Sequence, residues 1–168
     1  MIETLLRDLR QPEYLHVLLN PLPLYGLAMS LVGLVIAVIS RSRKAQVATL
    51  AIVFLSALSA WPVAEFGEEA YDRVLSMSDD PGQAWLEAHQ ARADQFIIFF
   101  YALAALSAAA LAAPLRWPKS SGILAVAVIV LGVVVLGMGA YIGYAGGKVR
   151  HREFRNGPPP PKAQSSPR

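Results

Sequence analysis

Four stretches of this sequence, each close to the length of a membrane span, contain no charged residue and no histidine. They are residues 17–39, 45–64, 95–113 and 122–145. A helix needs about 20 apolar residues to cross a bilayer. Lipid offers no partners to backbone N–H and C=O groups, so each stretch must satisfy its own hydrogen bonds as a helix. The sequence therefore predicts an all-α integral membrane protein with four spans, whose main partner is the lipid bilayer.

The composition supports the same class. Hydrophobic residues make up 55% of the 168 residues and charged residues only 16%. Soluble domains carry about 25% charged residues, so this chain has too few for a water-facing surface. The net charge of +3 is spread over small local clusters, which argues against nucleic acid as a partner. The chain has no cysteine, which excludes disulfides and thiolate metal sites.

The connections between the spans predict how they pair. Residues 40–44 and 114–121 are short, so spans one and two, and spans three and four, should form two antiparallel hairpins. The expected fold is a four-helix bundle with up-down-up-down topology over residues 1–154. Pro114 is expected to close the third helix.

Two segments outside the spans are polar. Residues 65–94 are predicted to form a long polar loop, whose second half begins a helix with Asp80 as N-cap and Pro81 at the first helical position. Residues 155–168 are proline-rich and are predicted to be a disordered tail.

The glycines of the fourth span indicate where helices pack closely. Gly139 and Gly143 form a G-x-x-x-G pair, and Gly146 and Gly147 follow. Helices in lipid associate through small residues that let backbones approach. The glycines therefore predict either packing within the monomer or a homodimer contact.

The histidines are the candidate binding residues. His16 begins span one, His89 precedes span three and His151 follows span four, so all three should lie at one end of the bundle. Imidazole is a common ligand for metals and for haem, and Arg92 and Arg150 nearby suit haem propionates. The alternative is that the three histidines are interfacial residues without a ligand. No nucleophile turn, phosphate loop or dinucleotide motif occurs, which argues against an enzyme.

Three segments carry a resemblance to a known family. The run His16–Pro23 (H-V-L-L-N-P-L-P), His89 before the third span, and the run Gly143–His151 (G-Y-A-G-G-K-V-R-H) are similar to a bacterial family of four-span membrane proteins of unknown function. Its members open with H-P-x-x-V-H-F-P and close with G-x-x-G-G-x-x-V-Y-x-H-G. The resemblance covers about residues 14–152, but Pro21 stands at the second histidine of the opening motif.

The family is similar in layout to small membrane cytochromes b, which implies a haem b. The sequence thus leaves two functions open. One is a redox module for electron transfer that binds haem b or a divalent metal through two of the three histidines, with His16 and His89 as the first pair. The other is a structural or accessory subunit of a larger membrane complex.

The resemblance and the charges also predict a location. The chain should be a multi-pass protein of the bacterial inner membrane. The short loops contain five basic residues and no acid, which favours a cytoplasmic position for them. The termini and residues 65–94 would then be periplasmic. The basic residues after the last span favour the opposite orientation, but the flanks of the first helix usually decide.

Overall fold

The computed structural model describes residues 2–161, and for residue 4 the backbone alone. Within this part of the chain the structure is helical and contains no strand. The helices, in chain order, are α1 (Ile2–Asp8), α2 (Pro12–Leu19), α3 (Leu27–Ile39), α4 (Arg43–Leu58), α5 (Ala60–Ser76), α6 (Asp80–Arg116) and α7 (Ser120–Arg150). A π-helical segment, Leu22–Gly26, joins α2 to α3, and a short 3₁₀ turn, Arg152–Phe154, follows α7.

Four helical segments are long and apolar enough to cross a membrane: Pro12–Ile39, Arg43–Ser76, Asp80–Arg116 and Ser120–Arg150. They contain the four predicted spans. The all-α four-helix bundle with two antiparallel hairpins is confirmed, and the protein is a multi-pass membrane protein. The first hairpin consists of α2 to α5, and the second consists of α6 and α7.

The first span is interrupted by its prolines. Pro21 and Pro23 have no N–H to donate, so the regular helical ladder cannot continue through them. The backbone widens instead into the π-helical segment, in which Pro23 is buried. This break separates two packing directions, because α2 packs against α5, whereas α3 packs against α4 and α7.

The core lies between α3, α4, α6 and α7. Leu27, Leu34, Leu50 and Leu103 are fully buried there. Small residues set the distance between the helices, because a Cβ built on Gly132 of α7 would lie only 2.6 Å from Cδ2 of Leu31. The membrane part of the bundle is therefore held by close packing.

Residues 65–94 do not form the predicted polar loop. They continue the two neighbouring helices, and only residues 77–79 form the turn between α5 and α6. The reason is visible on α5, where Val63 and Ala70 are buried and Val74 is half-buried, at helical spacing. A helix of 37 residues such as α6 is about 55 Å long, whereas the hydrocarbon layer is about 30 Å thick. The polar residues 65–94, which join the two hairpins, therefore project beyond the membrane.

The start and end of α6 also differ from the prediction. The N-cap is Asp79 rather than Asp80, and its carboxylate accepts a hydrogen bond of 3.1 Å from the backbone N–H of Gly82. Pro114 lies in the last turn and does not end the helix, which continues to Arg116. The backbone N–H of Trp117 donates to the carbonyl of Ala113, and this hydrogen bond completes the last helical turn, which contains Pro114.

The boundary of the predicted tail lies too early in the chain. The predicted tail begins at Arg155, but the side chain of Arg155 is only 10% exposed and packs against the start of α6 and the end of α7. Its guanidinium donates to the backbone carbonyls of Lys148 and Val149 at 2.7 and 2.6 Å. The bundle therefore includes Arg155. The predicted disorder of residues 162–168 lies outside the described residues.

Candidate functional site

A large cleft opens at the end of the bundle where residues 65–94 project. Its volume is about 970 Å³, and it is lined by residues of α2, the π-helical segment, α5, α6 and α7. It lies between the pair α2–α5 and the pair α6–α7. Its wall is mainly apolar, with a few polar and charged side chains that include Glu68, Asp94 and Arg150. This volume is within the range of small-molecule and cofactor sites.

His16 forms one side of the cleft. It lies on α2, and its Nδ1 is 2.8 Å from the carbonyl oxygen of Val63 on α5. A carbonyl only accepts hydrogen bonds, so Nδ1 carries the proton and Nε2 is left for a ligand. The ring sits over Gly67, one turn after Val63, where an added Cβ would lie 2.9 Å from Nδ1. A salt bridge of 2.6 Å between Arg73 and Glu13 ties the same two helices together.

His89 repeats this arrangement on the other side. It lies on α6, and its Nδ1 is 3.0 Å from the carbonyl oxygen of Ile142 on α7. The ring sits over Gly146, one turn after Ile142, where an added Cβ would lie 3.0 Å from Nδ1. Each hairpin therefore holds a histidine in the same way, with the imidazole of its first helix fixed by a carbonyl and a glycine of its second.

The two imidazoles meet across the cleft. Their ring centroids are 6.2 Å apart and their planes are nearly perpendicular, at 86°. Both Nδ1 atoms are engaged by backbone carbonyls, which fixes both rings in the tautomer whose Nε2 can bind a metal. The sequence predicted that these histidines would lie at one end of the bundle. It did not identify Val63, Gly67 or Ile142, whose roles depend on the rotation of neighbouring helices.

His151 does not join this pair. It follows the end of α7, where its Nδ1 is 2.9 Å from Oε1 of Glu153 and its ring stacks on Phe154 at 4.9 Å between centroids. It is exposed and does not line the cleft. A backbone hydrogen bond within Glu153 and the bond to His151 hold the pKa of this carboxyl below its usual value.

The two predicted arginines have different positions. Arg150 lines the cleft and is exposed, so its guanidinium is available to an anionic group there. Arg92 does not line the cleft. It donates a hydrogen bond of 2.8 Å to the carbonyl of Tyr141, and its guanidinium lies 3.7 Å from the centre of the tyrosine ring. Arg92 therefore ties α6 to α7.

The four glycines predicted for helix packing also separate into groups. Gly146 and Gly139 are tightly packed, and an added Cβ on Gly139 would lie 3.2 Å from the ring of Phe100. Gly147 has only Phe154 nearby, at 3.9 Å. Gly143 has no atom of the described residues within 4 Å of an added Cβ, so it makes no close helix crossing within residues 2–161. The expectation that Gly143 packs tightly against a neighbouring span is therefore wrong for the monomer.

A polar clasp closes the outer end of the second hairpin. Nη1 of Arg155 donates to both carboxylate oxygens of Asp79 at 2.9 Å, and Arg152 lies 3.1 Å from the same carboxylate. The hydrogen bond from Arg155 is the main reason that the pKa of Asp79 is lowered. The clasp holds the turn before α6 against the residues that follow α7.

No family model, no curated protein and no solved structure matches the chain. The similarity to the four-span bacterial family stays a prediction. The function must be inferred from the paired histidines and the cleft that contains them.

Proposed function

We propose that this protein is a membrane haem protein that binds a b-type haem between His16 and His89 and takes part in electron transfer. The observation that carries the proposal is the pair of neighbouring imidazoles, each with its Nδ1–H bonded to a backbone carbonyl. Histidines that bind metals through Nε2 commonly donate Nδ1–H to such a partner, which orients the ring and raises its basicity.

The distance between the rings supports two ligands on one metal. Two metal–imidazole bonds of about 2 Å, together with the distance from each ring centre to its nitrogen, span roughly 6 Å. The centroids of His16 and His89 are 6.2 Å apart. The two histidines come from different hairpins, so a metal held by both would join the two halves of the bundle.

The donor set favours haem over a free divalent metal. A structural zinc site needs four protein ligands and a catalytic one needs three. Among residues 2–161, no group of three or more histidine, cysteine or acidic side chains is placed to hold a metal ion. Haem supplies four nitrogen ligands of its own and asks the protein for two.

Several residues of this chain would have distinct roles in holding the haem. His16 and His89 would hold the iron, and the carbonyls of Val63 and Ile142 would keep both rings in position. Arg150, at the wall of the cleft, would bind an anionic edge of the cofactor. Bound haem supplies one-electron chemistry, and the apolar wall of the cleft would set its potential by limiting water.

An absorption spectrum of protein purified with added haem tests the proposal. We expect a sharp Soret band and split α and β bands after reduction. His16→Ala and His89→Ala should each remove or shift these bands, because each deletes one of the two proposed iron ligands. His151→Ala is the matched control and should leave the spectrum unchanged, since His151 is exposed and paired with Glu153.

A colourless protein that binds no added haem would contradict the proposal. The same would follow if His151→Ala changed the spectrum as much as the other two variants. The accessory-subunit hypothesis would then be the remaining one, with the open glycine surface of α7 around Gly143 as the first contact to test.

The proposal includes a location in the bacterial inner membrane, with the cleft on the periplasmic side. The turns that join α3 to α4 and α6 to α7 lie at the opposite end of the bundle from the cleft. Arg41, Arg43, Lys44, Arg116 and Lys119 lie in or beside these turns. Basic residues in short loops favour the cytoplasmic side, which supports this orientation.

A further inference from the structure

Lys148 is a buried cation without an anionic partner in the described structure. It lies near the end of α7 and is 4% exposed. The ion pairs among residues 2–161 do not include it. Burying an ammonium group is costly unless it is paired or hydrogen-bonded.

Two aromatic residues satisfy this ammonium in part. Its Nζ donates to the hydroxyl of Tyr144 at 2.6 Å and lies 4.1 Å from the centre of that ring. The ring of Trp85 on α6 lies on another side, 4.4 Å away. An ammonium has three N–H donors. The hydroxyl takes one of them, so there is capacity left for an anionic ligand.

A pocket adjoins this lysine. Its volume is about 390 Å³, and it is separate from the histidine cleft in most of its lining. Lys148, Tyr144, Glu153, Phe154 and Asn156 line it together with two glycines, and most of the lining surface is apolar. The residues around the pocket therefore include a buried basic side chain and an exposed acidic one, Lys148 and Glu153.

The pocket lies where phospholipid headgroups are expected. The apolar run of the fourth span ends at residue 145, and Lys148 follows within one turn. Tyr141 and Tyr144 are exposed beside it, as aromatic residues at a membrane interface usually are. Gly143 and Gly147, which also line the histidine cleft, leave the surface of α7 beside the pocket open, because neither has a side chain and neither is closely covered by the described residues.

We propose that this pocket binds a phospholipid with a phosphoethanolamine headgroup. The phosphate would pair with Lys148 and accept from the hydroxyl of Tyr144, and the ammonium of the headgroup would pair with Glu153. One oxygen of Glu153 is bonded to His151, and its second oxygen makes no described bond to another residue. A free phosphate fits less well, because Glu153 would repel an anion that brings no positive charge.

Native mass spectrometry of the purified full chain in detergent tests the headgroup. The probes are phosphatidylethanolamine, phosphatidylcholine and phosphatidylglycerol with identical acyl chains, together with inorganic phosphate. We expect phosphatidylethanolamine to bind about tenfold more tightly than the other two lipids, since only its ammonium combines a positive charge with N–H donors for Glu153. Equal binding of all three lipids, or displacement of phosphatidylethanolamine by millimolar phosphate, would overturn the proposal.

Two variants test which side chains bind the phosphate and the ammonium of the headgroup. Lys148→Met keeps the length of the side chain and should lower phosphatidylethanolamine binding about tenfold, and Lys119→Met, at an exposed lysine beyond the other end of α7, is its control. Glu153→Gln should remove the preference for phosphatidylethanolamine over the other two lipids. The variant should still bind all three lipids, because each has a phosphate that can pair with Lys148. Unchanged binding by Lys148→Met would refute the site. The headgroup series on the unmodified protein decides the question even if a variant fails to fold. None of these outcomes depends on haem.

Discussion

Replacing Gly146 with alanine tests whether the carbonyl of Ile142 fixes His89. The added Cβ would lie 3.0 Å from both Nδ1 and Cε1 of the imidazole. Ordinary contacts between such atoms are about 3.5–4.0 Å, so the ring must move by about 0.5 Å. The hydrogen bond from Nδ1 to Ile142 is now 3.0 Å long. A shift of that size would stretch it to about 3.5 Å, where little bond energy remains.

The free energy can be estimated against a matched control on the same helix. Gly143 lies one turn before Gly146, and an added Cβ there would meet no atom within 4 Å. At either position, replacing glycine with alanine should stabilise the helix by about 1 kcal/mol, because alanine has the higher helix propensity. Loss of the Nδ1 bond costs about 1 kcal/mol and is expected only at Gly146. We therefore expect Gly146→Ala to leave the free energy of unfolding nearly unchanged and Gly143→Ala to raise it by about 1 kcal/mol.

Thermal unfolding in detergent measures this difference, which corresponds to roughly 2–4 °C for a chain of this size. Nitrogen NMR of ¹⁵N-histidine-labelled protein measures the cause, because the chain contains only three histidines. The protonated Nδ1 signal of His89 should shift in Gly146→Ala and stay in place in Gly143→Ala. If both variants have the same stability and the same His89 signals, the reasoning about this contact is wrong.

Three further predictions concern packing, pH and orientation. Gly132→Ala should destabilise the bundle by about 1–3 kcal/mol, because its Cβ would lie 2.6 Å from Leu31 in the core; thermal unfolding measures this. Because the pKa of Asp79 is lowered in the folded protein, its ion pairs with Arg152 and Arg155 stabilise the fold above the ordinary pKa of 3.8. This stabilisation is lost as pH falls through the lowered pKa, and unfolding measured against pH should show the loss. Asp79→Asn should lack these ion pairs at every pH. In intact cells an impermeant thiol reagent should label Met77→Cys and spare Ser42→Cys if the cleft is periplasmic, and the reverse labelling would refute that orientation.

The membrane part of the fold could be predicted from hydropathy, whereas the projecting part required a different signal in the sequence. The four spans follow from uncharged runs, because hydropathy reports directly on transfer into lipid. Residues 65–94 are polar, and this suggested a loop. The buried face of α5 around Val63 and Ala70 shows that a helix continues there. A test for apolar residues three and four positions apart would have found it.

The candidate site was predictable in part for a similar reason. His16 and His89 each precede a span that starts on the same side, so the topology alone brings them to one end. Their contact depends on the rotation of α2 and α6, which no pattern in the sequence fixes. Lys148 and Trp85 were missed as a pair, because a lysine after a span usually lies in water and an interfacial tryptophan usually acts as an anchor.

The repeated histidine unit means that each hairpin carries half of one site. A single hairpin presents one imidazole, which it already holds in the correct tautomer through its own carbonyl. A ligand that needs both imidazoles can bind only when the two hairpins have been inserted into the membrane and have paired. Binding of such a ligand would therefore show that the two hairpins have assembled. A chain truncated after the first hairpin would still orient His16 through the carbonyl of Val63, but it would lack the second imidazole of the candidate site.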